Sequence, residues 1–298
     1  LEVFTDTSQF MALEPGQVLD LDGALFVLKG VEYEGRFGLD DEPKHWVKRA
    51  IDLASGEPKI IKLVFHEEFD LPVGPIKVRC YRSPAKESRI LELVRGRPQF
   101  MQGYTIIDSV GNQVRVLERI KGHALNKELD ALKIGHEDYY RTLLKGFLRK
   151  LVEAFEAIAF LHAHQERHGD IRRDHLYVER DTGQWRWIDF DYNFDFHESP
   201  NGLDLFGLGN VLCYVTGRGI PTLHELKKAR PEVLERLDTG DLSLVIPSRI
   251  FNLRKVYPYI PERLNRVLMH FAAASEVFYE TVEEILADLL PAVDELPG

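Results

Sequence analysis

Two aspartates and a histidine stand at short spacing in the middle of the chain. His168-Gly169-Asp170-Ile171-Arg172-Arg173-Asp174-His175 is followed by a short apolar run, a turn at Asp181-Thr182-Gly183 and then Ile188-Asp189-Phe190-Asp191. A loop carboxylate can orient and deprotonate a hydroxyl, and carboxylates beside an imidazole can ligate a cation. The same residue types would also suit a solvated, charged loop, but a helical pattern before it and a strand pair after it argue for a held one. A second signal is Lys62, set between Ile61 and Leu63-Val64-Phe65. An ammonium in so apolar a run calls for an opposite charge or a phosphate as partner.

The elements that must position these residues divide into two halves. Ala24 to Glu32 is apolar and β-prone. Trp46 to Leu53 and Pro58 to Phe65 flank a Gly-containing turn, which predicts a hairpin ending at Lys62. Ser83-Pro84-Ala85-Lys86-Glu87 reads as a helix start, with Ile90, Leu91 and Val94 on one apolar face and an end near Gly96 and Pro98. Tyr104 to Val110 and Val114 to Ile120 predict a second hairpin around Gly111-Asn112. After Gly122 the pattern turns helical. Leu143, Phe147, Leu151, Phe155, Ile158 and Leu161 mark one long amphipathic helix over Tyr139 to His164, and more helices follow from Leu203. Pattern alone gives an α+β chain with a strand-rich half, a link near Arg119 to His123 and a helix-rich half.

The His168–His175 segment with Ile188-Asp189-Phe190 resembles the catalytic loop (H-x-D-x-x-x-x-N) and metal-binding motif (D-F-G) of the protein-kinase-like superfamily. Ile60-Ile61-Lys62 resembles that family's V-A-I-K strand, and Lys86 to Leu91 resembles its helix C. Leu203-Asp204-Leu205-Phe206-Gly207 resembles the start of helix F, and Ile260 to Leu290 resembles the C-terminal helices of bacterial Ser/Thr kinases. The resemblance spans roughly Ala24 to Leu290. It implies a bilobal protein-kinase-like fold, with an antiparallel-sheet N-lobe carrying helix C, a mostly helical C-lobe and an ATP site between them. The expected organisation is an N-terminal extension over residues 1–22, an N-lobe over 23–120 and a C-lobe over 121–298.

The resemblance also implies roles. Asp170 would orient the acceptor hydroxyl and accept its proton, and Lys62 would hold the α- and β-phosphates while paired with Glu87. Glu92 is the alternative partner, but it lies about 140° further round the helix. Gly35 and Gly38 look like the tail of a glycine-rich phosphate loop, and Glu118 and Ile120 in the link are further expected nucleotide contacts. Asp189, His175 and Asp191 are the candidate metal ligands, and ATP with Mg2+ or Mn2+ is the expected cofactor set. Asp204 would pin the catalytic-loop backbone.

Several positions depart from the family. His175 replaces Asn; it can favour manganese, hydrogen-bond a phosphate or mark an inactive site. Asp191 replaces the D-F-G glycine, either as an extra metal ligand or as a loop residue facing water. An acidic insertion, Leu39-Asp40-Asp41-Glu42, follows the glycines. Fourteen residues separate Asp189 from Asp204 with no A-P-E triplet, Phe278 stands where its arginine partner would be, and Gly169 replaces the arginine of H-R-D. Switching by loop phosphorylation is therefore not expected. The leading expectation is an ATP-dependent phosphotransferase acting on a hydroxyl of a protein Ser/Thr or a small molecule. The alternatives are a pseudokinase that binds nucleotide or a partner, and an enzyme that uses ATP for adenylylation.

The bulk numbers narrow the classes. A net charge of −10 argues against a general nucleic-acid binder. Two cysteines are too few for a disulfide framework, and no apolar run reaches the roughly 18 residues of a membrane span. So few cysteines make a reducing cytoplasm the expected compartment, and Leu1 to Gln17, without a basic n-region, does not read as a signal peptide. Residues 217–259 carry no readable motif.

Overall fold

The computed structural model describes residues 2–34, 42–73 and 76–298. The chain clusters into two compact units: Leu1–Glu68 with Tyr81–Lys121, and Phe69–Cys80 with Gly122–Gly298.

In the first unit, strands β1 (Val3–Phe4), β2 (Val18–Leu21), β3 (Ala24–Glu34), β4 (Glu42–Asp52) and β5 (Pro58–Lys62) come first. Strands β6 (Glu68–Val73) and β7 (Ile76–Arg82) follow and are described with the second unit. Helix α1 (Pro84–Leu93), β8 (Gly103–Ile107) and β9 (Gln113–Glu118) complete the first. Seven strands form one sheet in the order β1-β2-β3-β4-β5-β9-β8. The two expected hairpins are present, with Ile61 opposite Lys48 and Ile106 opposite Val114. Leu19, Leu21, Phe26, Leu28, Ile61, Leu63, Val114 and Val116 pack one face as a core.

Val3–Phe4 and Val18–Leu21 bring the N-terminal segment into this sheet. Asp22 and Gly23 both have positive φ, 53° and 85°, as a tight two-residue turn between β2 and β3 requires. Asp108, beyond β8, accepts hydrogen bonds from the Thr7 backbone N–H (2.9 Å) and hydroxyl (2.8 Å), which ties the N-terminal arm to the β8–β9 turn.

Helix α1 starts as the sequence predicts. Ser83 accepts from the Lys86 N–H, Pro84 occupies the first turn, and Ile90, Leu91 and Val94 are buried.

The second unit contains two three-stranded sheets. One orders β13 (Tyr192–Asp195), β7 and β6; the other orders β10 (Gly122–Ala124), β11 (Leu176–Glu179) and β12 (Trp185–Trp187). Residues 76–82, rich in basic side chains, form β7, in which buried Val78 and Cys80 alternate with exposed Lys77 and Arg79. Val73, Val78, Cys80 and Phe194 form its core.

Between β10 and β11 lie α2 (Leu125–Asp130), α3 (His136–Thr142) and α4 (Leu144–Ala163). The single helix expected over 139–164 is broken at Leu143, whose φ is −122°. The Thr142 hydroxyl donates to the Asp138 carbonyl beside the break. Tyr139 then anchors α3, its hydroxyl donating to the Val215 carbonyl.

Helix α5 (Gly202–Gly217) is buried along most of its length and packs on α4. Residues 217–259 fold as α6 (Leu223–Ala229), α7 (Pro231–Leu234) and α8 (Leu253–Val256), with extended segments between, before α9 (Glu262–Met269) and α10 (Val282–Asp294). No helix among the described residues is long and apolar enough to cross a membrane.

Candidate functional site

In the first unit, register decides the chemistry. Lys62 on β5 stands opposite Arg115 on β9, so two cations face each other across the ladder. They share the face opposite Ile61 and Val116, turned away from the apolar core. Glu87 from the first turn of α1 enters between them: the Lys62 ammonium donates at 3.0 Å to one carboxylate oxygen and Arg115 Nε at 3.0 Å to the other. Arg115 also donates to the Gln113 and Leu63 carbonyls. Lys62 is 4% exposed, Glu87 0% and Arg115 1%, so all three charged groups are buried. Glu92 instead pairs with Arg95 at the surface.

Sequence reasoning missed Arg115. Its only sign is an arginine inside Val114-Arg115-Val116-Leu117, where a cation breaks an apolar strand. Among the other expected nucleotide contacts, Glu118 Oε1 accepts from the Gln102 N–H and Ile120 is half-buried. Gly35 and Gly38, with Leu39-Asp40-Asp41, lie outside the described residues.

In the second unit, Asp170, His175 and Asp189 are drawn together. The loop is fixed from below by Asp204 at the start of α5, which accepts from the His168 N–H at 2.7 Å and the Gly169 N–H at 2.8 Å. His162 Nε2 lies 3.0 Å from the same carboxylate. His168 is fully buried, edge-on to Trp187 and Phe190. From the other side, the Ile188 N–H donates to the His175 carbonyl, coupling the two motifs.

His175 Nδ1 donates to the Asp170 carbonyl at 2.9 Å and lies 3.5 Å from its carboxylate. Its Nε2 faces the Asp189 carboxylate at 3.6 Å. With Nδ1 holding the proton, a lone pair and a carboxylate oxygen confront each other there unless a second proton or a shared cation lies between them. Asp189 itself has φ 62°, a left-handed conformation uncommon outside glycine and frequent at functional sites. Arg172 makes a bidentate pair with Asp174 and lies 3.8 Å from Asp170. Burial alone would raise the Asp174 pKa, but the Arg172 hydrogen bond, with His175 and the Arg172 charge, holds it below the usual carboxylate value.

Asp191 is 2% exposed, so it does not face water. Among the described residues no three His, Cys, Asp or Glu side chains are grouped as a metal cage. His175 Nε2 and Asp189 are the pair whose donors converge, and their mixed nitrogen and oxygen chemistry suits Mn2+ better than Mg2+.

No family model matches the chain, and no curated protein matches it. Among solved structures, it is similar to the PknI kinase domain of Mycobacterium tuberculosis. That likeness has TM-score 0.54 and 13% identity, covering 94% of this chain and 100% of that one. A double mutant of the same domain gives TM-score 0.55 at 12% identity, covering 95% and 100%. At such identity the likeness concerns architecture, and the architecture is clear: the chain has a protein-kinase-like α+β fold, with a sheet-rich first unit and a helical second.

Proposed function

We propose that the protein is an ATP-dependent phosphotransferase that moves the γ-phosphate to a hydroxyl. The reading rests chiefly on His175 drawing together Asp170 and Asp189 on a loop pinned by Asp204. The acceptor oxygen forms a bond to the γ-phosphorus while the bond to the β–γ bridging oxygen breaks and ADP leaves. Asp170 orients the hydroxyl and takes its proton. Lys62, steered by Glu87, holds the α- and β-phosphates. A divalent cation held by Asp189 and His175 would neutralise charge on the phosphate oxygens. Cys80 and Cys213 are free and buried, which suits a reducing cytoplasm.

Calorimetric titration of ATP, first with Mg2+ and then with Mn2+, tests this. Metal-dependent binding that is lost in Lys62→Ala and Asp189→Asn is expected, and a Mn2+ preference would implicate His175. Absence of binding with either metal, from folded protein, overturns the reading.

A pseudokinase is the second reading, favoured by the imidazole of His175 standing where the kinase motif has an oxygen-donating Asn. Asp170→Asn separates the two. In an enzyme it abolishes phosphate transfer with ATP affinity nearly unchanged. In a binding module it leaves partner binding intact.

A further inference from the structure

One face of α5 organises the whole Asp170 loop. Asp204, Gly207, Asn210 and Tyr214 recur at three- and four-residue steps, so they share one side of the helix. Asp204 takes the loop's N–H groups. Gly207 receives Ile171, and a Cβ at 207 would fall 2.6 Å from the Ile171 Cβ, so only glycine admits this approach. Tyr214 carries the guanidinium of Arg173 over its ring at 4.8 Å. Asn210, one turn earlier, accepts from Arg249 Nη1 at 2.8 Å.

Two arginines from distant segments are thus set down one helical turn apart, beside the loop that bears Asp170. Arg249 is presented from a fixed backbone. Its N–H donates to the Ile246 carbonyl, its carbonyl accepts from Ser243, and it bridges Thr222. Both side chains are half-buried.

Neither guanidinium has a carboxylate partner among the described residues. The nearby Asp130 is occupied with the Tyr214 hydroxyl at the far edge of the ring. The neighbouring cations differ: Arg172 is paired with Asp174, and Arg218 is spent on the Leu132 and Ile134 carbonyls. Burial first, and then the charge of Arg173, lower the Arg249 pKa. In a chain with 48 acidic and 38 basic residues, two adjacent half-buried cations left without a carboxylate call for an external anion.

We propose that Arg173 and Arg249 form an oxyanion subsite beside Asp170 that receives a phosphate already present on the acceptor. The substrate class is then a hydroxyl compound bearing a phosphomonoester. Two planar guanidiniums match the charge and the donor geometry of a dianionic phosphate. The acceptor role rests on the phosphotransferase reading; the anion site itself does not.

The test is inorganic phosphate titrated into the full chain without nucleotide or metal, against chloride at equal ionic strength. Binding and Tm are followed in parallel. Saturable binding and a rising Tm are expected, as for any ligand of the native state. Arg173→Gln and Arg249→Gln should each weaken phosphate binding roughly tenfold or more, while Lys62→Ala retains it. Neither glutamine variant should melt below the parent, since each removes one of two like charges. Phosphate binding that is absent, unchanged in both arginine variants, or lost in Lys62→Ala overturns the subsite. So does a lowered Tm in both variants without any phosphate effect, which is the outcome for arginines that only support the fold.

The two readings fail separately. ATP binding without phosphate binding overturns the subsite alone. Phosphate binding without ATP binding overturns the phosphotransferase reading and the acceptor role, and leaves the anion site standing.

Discussion

At the scale of single residues, Glu87 holds two buried cations that would otherwise repel across the β5–β9 ladder. Removing the shared carboxylate should therefore cost far more than removing either cation. Glu87→Gln is expected to destabilise by about 3–5 kcal/mol in urea unfolding, the range for breaking a buried ion pair from one side. Lys62→Met leaves Arg115 on Glu87, so its stability loss should stay below about 2 kcal/mol while ATP affinity falls. If the two variants unfold alike, Arg115 is not holding the carboxylate in the way described. Lys62 and Glu87 were legible in the sequence because an apolar strand and a capped helix each advertise their charged exception. Arg115 was not, because its importance comes from facing Lys62, a matter of strand register.

Among the elements, the hairpin β6–β7 joins β13, the strand that begins directly after Asp191. The same β7 runs on into Ser83, the cap of the helix that carries Glu87. Phe194, fully buried, anchors that small sheet with Val73, Val78 and Cys80. Phe194→Ala should cost about 3–5 kcal/mol, as large-to-small core changes do, and should raise amide exchange in β13 and β7 before other strands. Uniform exchange across the second unit would show that the sheet is not a local cooperative unit. Strand β7 escaped the sequence reading because Lys77, Arg79 and Arg82 make it look like a polar connection. Its alternation is visible only once Val78 and Cys80 are known to face one side. The break at Leu143 escaped for the opposite reason: the apolar period runs through it undisturbed.

Across the whole molecule, half-buried His136 and buried Asp108 are two groups through which stability responds to acid. His136 lies flat on Tyr257 at 3.5 Å; its Nε2 donates to the Thr216 carbonyl and its Nδ1 accepts from the Tyr259 hydroxyl. Burial pushes its pKa down to about 4, against the Thr216 carbonyl and with help from the Arg218 charge. The folded chain thus binds its proton less readily than the unfolded one. The second unit should hold full stability above about pH 6.5 and lose it progressively as pH falls towards 4. Asp108 acts in a lower window. Burial opposes its ionisation, but hydrogen bonds from Thr7 and Asn112 prevail and bring it to about 2. Its contribution is present above about pH 4 and fades as pH falls through 2, so the N-terminal arm should release last. Chemical denaturation at a series of pH values checks both: His136→Gln should flatten the profile between pH 6.5 and 4, and Asp108→Asn the part below it. A profile unchanged by His136→Gln would remove the histidine from the account.

The sequence by itself determined where α1 begins and where the β4–β5 and β8–β9 hairpins turn. These are local properties: capping, periodicity and turn chemistry act over a few residues and leave their mark in the order of residue types. Tertiary structure alone decided that Arg115 faces Lys62, that residues 69–80 cluster with the second unit, that Asp191 is buried, and that Arg173 and Arg249 come to one face of α5. Each of these depends on register and on which helix face is left to pack. Segments 50 or more residues apart settle that jointly, through burial of surface that no short stretch specifies alone.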